Sequence, residues 1–86
     1  MLGGMADDRW MFEVYYSQPR NHEREARLTA QVISLGGRFD YWEDGTPEAT
    51  YICLSYEFDA LEQAECAATT LRQLGEHVEG PVPYGP

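Results

Sequence analysis

Twice along this chain a segment with a two-residue apolar period gives way to one with a helical period, which stops at glycine and is followed by another alternating segment. The predicted order is β-α-β-β-α-β, and few small folds accommodate it. Trp10-Met11-Phe12-Glu13-Val14-Tyr15-Tyr16 is aromatic and β-branched and runs into the turn-forming Ser17-Gln18-Pro19, so it reads as the first strand. Its alternation sets Trp10, Phe12, Val14 and Tyr16 on one face and Met11, Glu13 and Tyr15 on the other. Asn21 stands where an N-cap belongs, ahead of Ala26, Ala30, Ile33 and Leu28, Val32, Leu35, which recur at helical spacing up to Gly36-Gly37.

The second half repeats the scheme. Arg38 to Glu43 alternates Phe39 and Tyr41 against Arg38, Asp40 and Trp42, and a turn over Glu43 to Pro47 makes a hairpin with the next strand. Thr50 to Phe58 sets Ile52, Leu54, Tyr56 and Phe58 against Tyr51, Cys53, Ser55 and Glu57. Asp59 and Glu62 have the spacing of a capping box, opening a helix whose apolar stripe is Leu61, Ala64, Ala67 or Ala68, Leu71 and Leu74, ended by Gly75. Glu76 to Glu79 fits a fourth strand. Beyond Gly80, three prolines predict a departure from regular structure.

These elements predict a ferredoxin-like α+β sandwich, with a four-stranded antiparallel sheet, two helices on one face and right-handed crossovers. Phe12, Val14, Leu28, Val32, Leu35, Phe39, Tyr41, Ile52, Leu54, Tyr56, Leu61, Leu71, Leu74 and Val78 are the expected core. The expected organisation is one domain over residues 9–80, a disordered leader over 1–8 and a Pro/Gly-rich tail over 81–86.

Composition narrows the function. The 86 residues carry 15 Asp+Glu against 6 basic residues, all arginine, for a formal net charge of −9. Without lysine there is no Schiff-base, P-loop or lysine general-base chemistry. The acidity argues against nucleic acid, whose binders draw affinity from basic footprints, and against anionic membranes. The third strand also lacks the basic, glycine and aromatic sequence of an RNA-recognition module. No apolar run approaches the roughly 20 residues of a membrane-spanning helix, and Met1 to Asp8 lacks a signal-peptide layout, so a cytoplasmic location is expected. Cys53 and Cys66 fall in no Cys-x-x-Cys or zinc spacing and read as structural thiols of a reducing compartment.

Catalytic and metal-binding signals are weak. His22 reads as a solvated first-turn residue, and Glu76, His77 and Glu79 have no recognised metal spacing. A Cys53–His77 couple would have strand one between its members in the usual 4-1-3-2 order. No catalytic residue, metal or cofactor is indicated. The informative surface is the sheet face opposite the core. By strand parity it carries Met11, Glu13 and Tyr15, then Arg38, Asp40 and Trp42, then Tyr51, Cys53, Ser55 and Glu57, and finally His77 and Glu79.

Such aromatics also suit plain sheet stabilisation, at about 0.2–1 kcal/mol per cross-strand pair. Tryptophan and tyrosine are nevertheless enriched at interfaces, so Met11, Glu13, Tyr15, Arg38, Asp40, Trp42, Tyr51, Cys53, Glu57 and His77 form the candidate partner-binding face. The expected partner is a second copy in a homodimer or a protein with a basic surface. The alternative is a small-molecule or enzyme site in a dimeric cleft lined by Tyr15, Trp42, Tyr51 and His77.

Gly36-Gly37-Arg38-Phe39-Asp40-Tyr41-Trp42 and Gly75-Glu76-His77-Val78-Glu79-Gly80, with Tyr84 after the last strand, give a layout that resembles the family of the regulator of ribonuclease activity B. The resemblance spans the strand order from Trp10 to Tyr84 and the strong acidity. It implies a cytoplasmic, non-catalytic protein that regulates an enzyme by binding it. The family's Tyr-Asp-Gly-Trp near the final strand has its nearest counterpart in Phe39-Asp40-Tyr41-Trp42 on strand two, without the glycine. No site residue is therefore carried over.

Overall fold

The structure is a computed structural model that describes residues 9–44, 48 and 50–84. The expected leader, part of the hairpin turn and the last two residues lie outside the described residues. The elements are β1 (Trp10–Ser17), α1 (His22–Ser34), β2 (Gly37–Asp44), β3 (Tyr51–Phe58), α2 (Leu61–Gln73) and β4 (His77–Pro83). They form a four-stranded sheet of order β2-β3-β1-β4, antiparallel at every pairing, with the helices on one face. This is the ferredoxin-like α+β sandwich that the periodicities predict.

The core lies between sheet and helices. Phe12, Val14 and Tyr16 of β1 and Ile52, Leu54, Tyr56 and Phe58 of β3 supply the sheet side, and Val78 of β4 joins them. Leu28 and Val32 come from α1, and Ala64, Ala67, Ala68 and Leu71 from α2, where the alanines let the helix lie close to the sheet. Asn21 caps α1, its Oδ1 accepting from the Arg24 amide at 3.0 Å. Both helices stop at glycines in the left-handed region, Gly36 at φ 98° and Gly75 at φ 94°.

Several expectations are corrected. The capping box of α2 does not form: its N-cap is Ala60, without a side-chain cap, and Asp59 instead accepts from Arg38 at 2.9 Å. Of the two apolar stripes on α1, only the one through Leu28 and Val32 faces the sheet, which leaves Ile33 exposed. Leu74 follows the last turn of α2 as its C-cap and turns to solvent instead of closing the core. β4 does not stop at Glu79. It runs on to Pro83, opposite Trp10, because an edge strand needs ladder donors on one side only and so tolerates Pro81 and Pro83.

The largest correction concerns β2. Phe39 opposes Tyr56, yet Tyr41 opposes Ser55 and Trp42 opposes Leu54, so Asp40 is an inserted residue. Directly opposed residues share a face, and one extra residue reverses every side chain beyond it. Tyr41, expected in the core, therefore joins the open face. Trp42, expected on the open face, moves to the helix side, where the Arg20 guanidinium lies 3.5 Å from its ring centroid. Phe39 stays on the helix side against Tyr56, but on an edge strand it is half exposed.

Candidate protein-binding face

Strand register builds the uncovered face in cross-strand rows. Arg38, Glu57, Met11 and Val82 form the first, and Tyr41, Ser55, Glu13 and Glu79 the second. Glu43, Cys53, Tyr15 and His77 form the third, and Tyr51 stands beyond it opposite Ser17. The structure thus keeps Met11, Glu13, Tyr15, Arg38, Tyr51, Cys53, Glu57 and His77 together, excludes Trp42 and adds Tyr41 and Glu43. Asp40 is the bulge residue, and its carboxylate accepts from the Tyr84 hydroxyl at 2.8 Å.

One end of the face is internally neutralised. Glu57 is buried and receives Arg9 Nη1 at 2.6 Å and Arg38 Nη2 at 3.3 Å, while Arg38 also reaches Asp59 at 2.9 Å. The Arg9 guanidinium lies 4.6 Å from the ring centroid of Tyr84, whose amide donates to the Arg9 carbonyl. Parity could not reveal Arg9 and Tyr84 because both lie just outside the strands and meet only through the β1–β4 pairing.

The other end is acidic and aromatic. Tyr15 donates to Glu13 at 2.9 Å, and its ring meets Tyr51 edge-on at 5.4 Å and His77 at 5.9 Å. His77 Nε2 lies 2.9 Å from Glu79. Glu13 and Glu79 oppose each other directly on adjacent strands. Among the described residues no arginine pairs with Glu13, Glu43 or Glu79. Tyr41 and Tyr51 project from this end, 45% and 41% exposed. Between Tyr41 and Glu13 in the second row, Ser55 is fully buried, and among the described residues its Oγ has no hydrogen-bond partner.

Burial, with Glu13 and Glu43 adding repulsion, pushes the Cys53 thiol up to about 11, which favours its protonated form at neutral pH. His77 is separated from it by Tyr15 on the intervening strand. Burial and the bond to Glu13 likewise raise the Tyr15 phenol above its ordinary value.

The helix side is tied together separately. Tyr16 donates to Glu25, and Arg20 grips the same carboxylate through Nε and Nη2 at 2.9–3.1 Å. The Asn21 amide donates to the Tyr16 hydroxyl at 2.8 Å, which ties the entry of α1 to the end of β1. Depressions of about 470 Å³ beside Tyr16 and Arg20, and about 350 Å³ between Leu28 and Leu74, lie on this side, and of the residues opposed across the open face only Ser17 lines either. His22 is exposed at the rim of the first, and Cys66 is exposed on α2. Among the described residues no cluster of His, Cys, Asp and Glu could hold a metal ion, and no helix is long and apolar enough to cross a membrane. No protein-family model, curated protein or solved structure matches the chain.

Proposed function

We propose that this chain is a small acidic interaction domain that binds another protein through its open sheet face and regulates it by doing so. The observation that carries the reading is the cluster of Tyr15, Tyr41 and Tyr51 on the sheet face opposite the helices, beside carboxylates that no arginine pairs with among the described residues. A tyrosine brings a large rigid contact area with a polar tip, so a half-exposed group of them is the composition of an interface centre. The neutralised end around Glu57 supplies a stable rim. The resemblance to the family of the regulator of ribonuclease activity B points the same way, toward control of an enzyme by binding it.

The test compares two double variants. Tyr41→Arg/Tyr51→Arg is expected to abolish self-association in sedimentation, or capture of a specific partner from extracts, whichever the wild type shows. Ile33→Arg/Leu74→Arg, on the helix side, is expected to leave both intact. The reverse result would sink the proposal.

A further inference from the structure

Resting on that reading of the open face, we infer that its acidic end is a guanidinium site, which takes an arginine side chain from an extended basic segment of a different protein. Glu13 and Glu79 stand directly opposite on neighbouring strands, an arrangement in which like charges repel. At the other end of the same face Glu57 and Asp59 are neutralised by Arg9 and Arg38. Among the described residues the Glu13–Glu79 pair has no arginine, Glu79 meeting the His77 imidazole and Glu13 the Tyr15 hydroxyl, and Glu43 adds a third carboxylate across β3.

A second observation comes from Ser55. Its hydroxyl lies in the same row, between Tyr41 and Glu13, buried and without a partner. A buried hydroxyl left unpaired is costly, and a donor inserted beside Glu13 would satisfy it together with the carboxylates.

The rings select the form of the cation. Elsewhere in the molecule arginines lie over aromatic faces: Arg9 over Tyr84, Arg20 over Trp42 and Arg24 over Tyr16. Among the described residues Tyr15, Tyr41 and Tyr51 carry no such cation. A planar guanidinium can bridge two carboxylates through its fork of donors while stacking on a tyrosine, whereas an ammonium is a compact, strongly hydrated point charge. A second copy of this chain is a poor occupant. It would bring the same carboxylates onto the face, and its Arg9 and Arg38 are already engaged with Glu57 and Asp59. The net charge of −9 speeds encounter with a basic partner.

The probe is a synthetic peptide of alternating glycine and arginine, with versions in which citrulline or lysine replaces arginine. Each is titrated into the isotope-labelled chain and followed by amide chemical shifts. The arginine peptide should perturb β1, β3 and β4 around Glu13, Ser55 and Glu79, and bind about tenfold tighter than the citrulline version and several-fold tighter than the lysine version. Glu13→Gln/Glu79→Gln should weaken it about tenfold, and Ser55→Ala several-fold. Glu62→Gln/Glu65→Gln, the same charge change on α2, should leave affinity within about threefold.

Equal binding of the citrulline or lysine peptide, or equal losses in the two glutamate variants, overturns the guanidinium site. If those peptides still map to the face, or if Tyr41→Arg/Tyr51→Arg still abolishes partner capture, the binding-face reading stands without it. A peptide footprint on the helices, with capture indifferent to Tyr41 and Tyr51, overturns both.

Discussion

Replacing Ser55 with alanine should make this protein more stable. The Ser55 side chain is fully buried and its Oγ has no hydrogen-bond partner, so folding strips the hydroxyl of water and returns nothing. Leaving such a group unpaired costs about 1–3 kcal/mol. Removing the oxygen opens a void on the order of 15 Å³, which at about 24 cal/mol per Å³ costs roughly 0.4 kcal/mol. The weaker β-propensity of alanine takes a few tenths more, roughly. The net expectation is a gain of about 0.5–2 kcal/mol, or roughly 2–16 °C in Tm for a domain of this size. Urea unfolding followed by tryptophan fluorescence, with calorimetry for Tm, measures it. The midpoint should rise with an unchanged m-value. A loss of about 1 kcal/mol would show that the hydroxyl is hydrogen-bonded in solution, so that its oxygen would not be waiting for a guanidinium donor. A gain in stability combined with weaker peptide binding would mean that the serine is retained for the ligand at the expense of the fold.

Gly37→Ala should destabilise the domain by about 1–3 kcal/mol, because the new methyl would sit 2.3 Å from the Phe58 ring and 2.7 Å from Val32, both fully buried. A urea midpoint equal to that of wild type would refute the packing argument. Glu25 governs part of the acid response. Burial pushes its carboxyl up, but the Arg20 and Tyr16 hydrogen bonds outweigh it and hold the group below its ordinary value of 4.5. Its contribution is therefore complete above that value and is lost as pH falls through the lowered folded-state value. Glu25→Gln should flatten this part of the stability–pH curve, and an unchanged slope would count against the linkage.

How far the fold was legible follows from how strongly each segment commits to a period. β1 and β3 alternate without ambiguity, α1 has a real N-cap, and both helices meet a glycine that takes the left-handed conformation, so order, pairing and most of the core could be read directly. β2 could not. Tyr41 and Trp42 are adjacent aromatics, so an apolar side chain faces either side whether or not a residue is inserted before them, and periodicity cannot choose. Tertiary contacts accompany the observed choice: Arg20, held by Glu25, stacks on Trp42, and Tyr84, carried back along β4, binds the displaced Asp40.

The same dependence on tertiary partners decides what the acidity means. Glu25, Glu57, Glu76 and Asp59 are matched by Arg20, Arg9 with Arg38, Arg24, and Arg38. Glu13, Glu43 and Glu79 have no arginine partner among the described residues, Glu13 accepting from Tyr15 and Glu79 lying beside His77, and register brings them to one end of one face beside three tyrosines. A formal charge of −9 treats these two groups alike. A partner meets them differently, because a carboxylate already bonded to arginine offers an approaching cation little, whereas a repelling pair gains twice, from the new contact and from relief of its own repulsion.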